Sequence, residues 1–345
     1  MKNKHMIMFL IIVLSMVLAA CNSDKGTSTQ AEAAGSDPLK IRIAGQSPDD
    51  HPSTQAMYHF AEQLKEKTDG RIEIKVYPAN QLGDYTTVYE EIGRGTIEMG
   101  LISIPSELDN RLELLFTPYM VEGYDGIVEA YERGSFVFNK IEEISNEKNV
   151  QLLAFHANGF GGIGTTKEVS NIMNFDEDKD LLLRVPPIDA FKQPIEDIGF
   201  RTVTIPFADL YTSLQTGAAE GWTGGEASLN YYGYRDAIKY FYATNDFFNP
   251  DSLLINKDLF EKVSEDDRKI MEELATELMN KSFETAESND EKYRSLMRDE
   301  GIEVVEFSKE EISELADFVR KTTWPKLKKR VGEDIIDELT NQFDK

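Results

Sequence analysis

Cysteine occurs once in this sequence, at position 21, so no disulfide framework holds the chain together. Basic side chains are scarce: 37 Lys and Arg stand against 62 Asp and Glu, a formal net charge of -25. Nucleic acid and anionic membrane surfaces are poor partners for such a field, so neither is expected to bind the folded chain. Histidine is rarer still. Of the four present, His51, His59 and His156 follow the N-terminal apolar run, and none stands in an HExxH or His/Cys spacing that would hold a catalytic metal. G-x-S-x-G and P-loop motifs are missing too, and no nucleophile is paired by spacing with a base. The sequence therefore predicts a protein without metal or cofactor that is not an enzyme. What is present is ample core material: 345 residues at 41% hydrophobic content, enough for about two domains.

One long apolar run exists, and it opens the chain. In MKNKHMIMFLIIVLSMVLAAC, Lys2 and Lys4 precede a largely apolar stretch from Met6 to Ala20 that is too short to cross a bilayer comfortably. This pattern predicts a signal peptide over residues 1–20 and a mature protein outside the cytoplasm. The closing LAAC resembles the bacterial lipoprotein box, which implies acylation of Cys21 and attachment to the outer face of the cytoplasmic membrane. From Asn22 to Pro38 no large apolar residue occurs, which predicts a flexible tether over 21–38 and a fold that begins near Leu39.

From there the pattern is α/β. KIRIA alternates as a strand does, PSTQAMYHFAEQLKEKTDG places Ala56, Met57, Phe60, Ala61 and Leu64 at helical spacing before Gly70, and RIEIKVY alternates again. That is a βαβ unit, hence a parallel pair. A helix in YTTVYEEIGRG, a strand in EMGLISI, a helix from about Tyr124 and a strand in VQLLAFH continue the alternation expected of doubly wound sheets. A second block begins near Asn158, with strands in LLLRV and RTVTI and a helix in FADLYTSLQTG. Its LYTSLQTGAAEGW echoes the earlier VYEEIGRGTIEMG, as two similarly built lobes would. Ser264 and Asp267 then fit a cap for one long helix, unbroken before Gly301 and roughly 50 Å in length. A strand in GIEVVEF and a last helix capped by Ser308 and Glu311 complete the chain.

GFGGIG, residues 159–164, matches G-x-G-x-x-G after a predicted strand. The TTKEVSN that follows starts a helix poorly, and no acidic residue ends a strand some 20 residues on, as a dinucleotide site requires. A glycine-rich crossing between domains fits better.

The most pointed feature is LLLRVPP, residues 181–187, where Arg184 stands among aliphatic residues and two prolines end the run. A guanidinium cannot shed its charge, so a buried Arg184 needs an anion, supplied either by the protein or by a ligand.

Several separated signatures occur in order: H-P before the first helix, N-Q-L-G after the second strand, R-V-P, P-F-x-x-x-Y-x-x-L-Q-x-G and G-x-x-E-G. Together they resemble the extracytoplasmic solute receptors of TRAP transporters, the DctP-like family, over essentially the whole mature chain. The resemblance implies a two-lobe clamshell of the periplasmic-binding-protein type, with crossing strands and a long helix spanning both lobes. Lobe I is expected over 39–156 plus about 245–283, and lobe II over 157–244 plus about 284–345. It also implies that Arg184 pairs with a ligand carboxylate, the alternative being a structural pair with Asp or Glu of the other lobe. Phe207 matches the aromatic residue that packs on the ligand's carbon skeleton, or else packs a core; Trp222 could stack on the ligand or fill a lobe. Gln46, Asp84, Ser103, Phe160 and Gly224 complete the candidate ligand-binding set.

Two departures stand out. Gly224 occupies a segment where the family often has asparagine, and a second arginine common in the G-W-R-x-x-T region has no counterpart in GFGGIGTT. Fewer polar contacts, with Trp222 added, suggest a ligand unlike sialic acid. The implied function is capture of a small organic acid by hinge closure and its delivery, as a monomer, to TRAP membrane subunits. A receptor that presents the ligand to a signalling kinase would use the same site, and an extracytoplasmic enzyme acting on an organic acid is the remaining alternative.

Overall fold

The structure, a computed structural model, describes residues 37–343. Cys21 and the expected signal peptide lie outside the described residues, as does the tether up to residue 36.

Two sheets organise the fold. The first has the order β2-β1-β3-β10-β4, built from β1 (Leu39–Gly45), β2 (Ile72–Tyr77), β3 (Met99–Ile102), β4 (Val150–Phe160) and β10 (Phe248–Asn256). The second has the order β11-β9-β5-β8-β6-β7, from β5 (Gly162–Thr165), β6 (Leu182–Val185), β7 (Arg201–Thr204), β8 (Gly221–Gly225), β9 (Tyr240–Ala243) and β11 (Glu303–Glu306). β1 pairs parallel with β2 and β3, as the βαβ pattern requires, and β6 pairs parallel with β7 and β8. Neither sheet is wholly parallel. β10 lies antiparallel to β3 and β4, and β5 antiparallel to β8 and β9. The chain crosses outward from β4 to β5 and returns from β9 to β10, so each crossing strand enters its new sheet against the local direction.

GFGGIG lies on this crossing. A Cβ on Gly161 would stand 2.5 Å from the Phe247 ring, and one on Gly162 would stand 2.6 Å from the Tyr242 carbonyl oxygen. The glycines therefore let the outgoing and returning strands touch, which accounts for the motif without a dinucleotide.

Helices α1 (Pro52–Lys67), α2 (Tyr85–Arg94), α3 (Ile127–Tyr131) and α4 (Phe136–Asn146) belong to the first half, and α5 (Asp189–Asp197) and α6 (Leu210–Thr216) to the second. The sequence echo has a structural counterpart. α2 ends at Gly95 with φ 76° and α6 at Gly217 with φ 74°, both left-handed caps, and each helix leads into a strand.

After α7 (Lys257–Lys262) comes α8 (Glu265–Asp299), the single long helix the sequence predicts, with the Ser264 side chain accepting from the Asp267 amide at 3.1 Å. Its Met271, Leu274, Met279 and Phe283 join the first core, whereas Tyr293 and Met297 join apolar residues of the second half. One amphipathic stripe thus binds both halves together.

The chain ends in three helices rather than the one expected after Ser308: α9 (Lys309–Thr322), α10 (Trp324–Val331) and α11 (Glu333–Phe343). The expected assignment of everything beyond about residue 284 to lobe II also needs correction. α9 packs Ile312, Leu315 and Val319 on the second sheet, but Trp324, Leu327, Val331, Ile335, Ile336 and Leu339 return to the first core. Trp324 Nε1 donates to the Pro118 carbonyl at 2.8 Å and fixes that return. An apolar stripe states that a helix is buried, not which core receives it.

Candidate functional site

Arg184 sits at the carboxyl end of β6, where Pro186 and Pro187 stop the strand. In a sheet built this way the crevice lies beyond the carboxyl ends of the parallel strands, and the residues there face it. The arginine is 2% exposed. Its Nε donates to the Ile205 carbonyl oxygen at 2.8 Å, and Nη2 is buried without a hydrogen-bond partner. No carboxylate of the described residues forms an ion pair with it. Burial pushes its pKa down to about 10, against the opposing influence of Tyr85, Tyr234 and Glu107. The intramolecular alternative from the sequence, a structural pair with Asp or Glu, is therefore absent among the described residues. A buried cation with an unmet donor is a costly arrangement that an incoming anion would relieve.

The guanidinium faces a cavity of about 50 Å³. The second sheet and its loops supply Arg184, Pro186, Ile188, Phe191, Phe207, Gly224 and Leu229; the first supplies Gln46, Tyr85, Ser103 and Asn249. Gln46 and Ser103 each follow a parallel strand directly, β1 and β3, so both halves offer the carboxyl ends of their strands to the same space. The Tyr85 and Phe207 rings meet edge-on from the two sides with centroids 6.4 Å apart. Five of the eight ligand-binding residues expected from the sequence come together here: Gln46, Ser103, Arg184, Phe207 and Gly224.

Three do not line this cavity. Trp222 is the register partner of Arg184 on β8, but its indole is buried in the second core, 4.8 Å from the Tyr234 ring, and Nε1 donates to Asn230 Oδ1 at 3.1 Å. The suggestion that it adds ligand contact is corrected: it fills the lobe. Asp84 caps α2, its carboxylate accepting from the Thr87 amide at 2.9 Å, and the neighbouring Tyr85 reaches the cavity instead. Phe160 is fully buried in the crossing, edge-on to Tyr124 at 4.9 Å and to Phe248 at 5.5 Å.

Sequence reasoning also missed Tyr85, Pro186, Ile188, Phe191, Leu229 and Asn249. Pro186 and Ile188 had a usable signal, since Pro186 closes R-V-P at a strand's carboxyl end and Ile188 stands two residues beyond it. Asn249 had none; it sits on a strand that only tertiary pairing defines.

Behind the cavity runs a buried polar seam. Asn249 Nδ2 donates to Glu226 Oε2 at 2.6 Å, and the Ser228 hydroxyl donates to Glu226 Oε1 at 2.9 Å. His51 Nε2 lies 3.0 Å from Ser228 Oγ and 3.5 Å from Glu226 Oε1. Gln46 Oε1 accepts from the Ser103 amide at 3.1 Å while its Nε2 donates to Asp251 Oδ1 at 3.4 Å. Burial raises the Asp251 pKa to about 7 and lowers that of His156 to about 4. A wider groove of about 620 Å³ opens between α1 and α8. It contains no buried cation, so the smaller cavity carries the chemistry. Among the described residues no group of three or more His, Cys, Asp and Glu side chains could hold a metal ion, and no helix is long and apolar enough to cross a membrane.

Two α/β halves joined by crossing strands and one long helix, with a buried arginine between them, define a two-lobe solute-binding protein. Residues 43–329 match the model of the bacterial extracellular solute-binding protein, family 7 (DctP), and the chain belongs to that family. It is similar to the C4-dicarboxylate-binding periplasmic protein DctP of Rhodobacter capsulatus, 22% identical over 77% of this chain and 79% of that one. It is also similar to the sialic acid-binding periplasmic protein SiaP of Vibrio cholerae, 23% identical over 71% and 76%. Among solved structures, a TRAP periplasmic solute-binding protein of Haemophilus influenzae with bound L-gulonate superposes with a TM-score of 0.77 at 23% identity, covering 88% of this chain and 99% of that one. The sugar acid binding protein of Advenella mimigardefordensis with galactonate gives 0.78 at 20%, covering 89% and 98%.

Proposed function

We propose that this protein captures a small organic acid between its lobes and delivers it to the membrane subunits of a TRAP transporter. The observation that carries the reading is Arg184: fully buried, aimed into an interlobe cavity, with Nη2 unpartnered. A carboxylate accepts two parallel N–H donors of a guanidinium fork and neutralises the buried charge. No covalent step is required; the ligand favours closure by its differential affinity for the closed form. The bound acids of the structural relatives, gulonate and galactonate, support the same ligand class.

In this reading Cys21 carries the lipid that holds the protein at the membrane surface, and Cys21→Ser releases it into the soluble fraction. Calorimetric titration of organic acids into Arg184→Ala and Arg184→Lys tests the site. Both variants fold yet bind more than tenfold more weakly than the wild type, because lysine lacks the fork. Binding within about threefold of wild type, under 1 kcal/mol, would make Arg184 structural and end the proposal.

A further inference from the structure

The cavity constrains the ligand more narrowly than the family does. Resting on the reading of Arg184 as the carboxylate partner, we propose that the ligand is a short monocarboxylate with an apolar body and a hydroxyl, not a second carboxylate, at its far end.

Charge comes first. Arg184 is the one cation lining the cavity among the described residues. A second carboxylate would have no positive partner there. It would lie instead toward Gln46 and Asn249, behind which stand Asp251 and Glu226. Burial works to raise the Glu226 pKa, but His51 and Asn249 outweigh it and hold the group below the usual carboxylate range. An anion at this end finds no cation in the lining, and the Glu226 carboxylate behind Asn249 already engages His51 at 3.5 Å.

Hydrogen bonding comes second. Gln46 is engaged at both ends, with the Ser103 amide and with Asp251. Asn249 commits one of its two amide N–H groups to Glu226, which leaves it one donor and its carbonyl oxygen. The Ser103 hydroxyl both donates and accepts. The set mixes donors with acceptors, so an acceptor-only carboxylate would leave the acceptors unmet, whereas a hydroxyl, which donates and accepts, can use both.

Size and lining come third. A cavity of about 50 Å³ holds roughly four water-sized groups, so the seven heavy atoms of a hydroxybutyrate ask for far less widening than the thirteen of a hexonate or hexuronate. Apart from Tyr85 with its single hydroxyl, its middle is walled by Pro186, Ile188, Phe191, Phe207 and Leu229, whose side chains offer no partner to a row of sugar hydroxyls. Phe191 is fixed in place, 5.2 Å from the Phe116 ring and 4.5 Å from that of Phe247 in the first core, so the wall cannot easily retreat. Gly224 leaves room only up to that wall: a Cβ on it would stand 3.6 Å from the Phe191 ring.

The test is calorimetric titration of the mature protein with 3-hydroxybutyrate, succinate and glucuronate, repeated on Phe207→Ala, which removes the half-buried wall residue. The expected result is 3-hydroxybutyrate binding at least tenfold more tightly than either of the others, and Phe207→Ala weakening it while narrowing the gap to glucuronate. Succinate or glucuronate binding as tightly as 3-hydroxybutyrate overturns the inference but leaves the organic-acid reading intact, provided Arg184→Ala abolishes that binding. Wild-type preference left unchanged in Phe207→Ala, with its melting curve intact, overturns the apolar-wall argument. Failure of all three acids to bind overturns this inference together with the carboxylate reading on which it rests.

Discussion

The carboxylate of Glu113, fully buried in the first core, accepts Arg330 Nε from α10 at 2.6 Å and the Ala190 amide of α5 at 3.0 Å. Arg330 Nη1 also lies 3.0 Å from Asp189 Oδ2. This triad ties the start of α5, and with it the cavity residues Ile188 and Phe191, to the opposite half of the molecule. The returning C-terminal helices thus position the ligand wall as well as closing a core.

Removing Arg330 leaves Glu113 buried without its cation. Burial already raises the Glu113 pKa despite Arg330, so Arg330→Ala is expected to destabilise the fold by about 2–3 kcal/mol, at the low end for such pairs because Arg330 is a third exposed. Denaturant unfolding measures it. The paired change Glu113→Leu with Arg330→Met should cost far less, and an equal loss in both would show that packing rather than charge governs the site.

Arg184 presents a conflict between stability and function. Its replacement by methionine removes a buried, incompletely paired charge at similar volume, so Arg184→Met should raise the ligand-free stability by about 1–2 kcal/mol while eliminating carboxylate binding. Thermal melts with and without acid check both halves. A markedly less stable variant would mean that the guanidinium supports the fold.

Asp246 supplies a pH dependence. Burial raises its pKa to about 7, against the Thr223 hydroxyl that donates to Oδ2 at 3.0 Å. Because the folded value lies above the unfolded value of ~3.9, the folded state holds the proton more tightly. The resulting stability is complete below about pH 4 and is lost as pH rises through 7. Asp246→Asn should flatten this decline by on the order of 2–4 kcal/mol between pH 4 and 8, read from urea midpoints at each pH. Parallel pH profiles for wild type and variant would refute the assignment.

Trp222 separates core from site. Trp222→Phe loses the bond to Asn230 and part of the contact with Tyr234, so unfolding should show a loss of about 1–3 kcal/mol. Affinity for the acid should stay within threefold of wild type, since the indole does not line the cavity. A larger loss of affinity with an unchanged melting temperature would return Trp222 to the ligand.

The sequence by itself determined the local elements and the chemical demand at Arg184. Periodicity places β1, α1 and the full length of α8, because side-chain spacing is a local property. A lone arginine among aliphatic residues announces an anion, because its charge cannot be titrated away. The sequence motifs also point to Phe207 and Gly224, but they cannot separate Asp84, which caps a helix, from Tyr85, which reaches the cavity, since adjacent residues differ in direction only once the helix axis is set. Tertiary structure alone decided that β10 inserts antiparallel into the first sheet and brings Asn249 to the site. It also sent Trp222 inward beside an arginine that faces the cavity, and it returned α10 to the first core so that Arg330 meets Glu113. Each of these depends on which of two apolar cores a segment joins, and hydrophobic burial, being non-directional, leaves no mark of that choice in the local sequence.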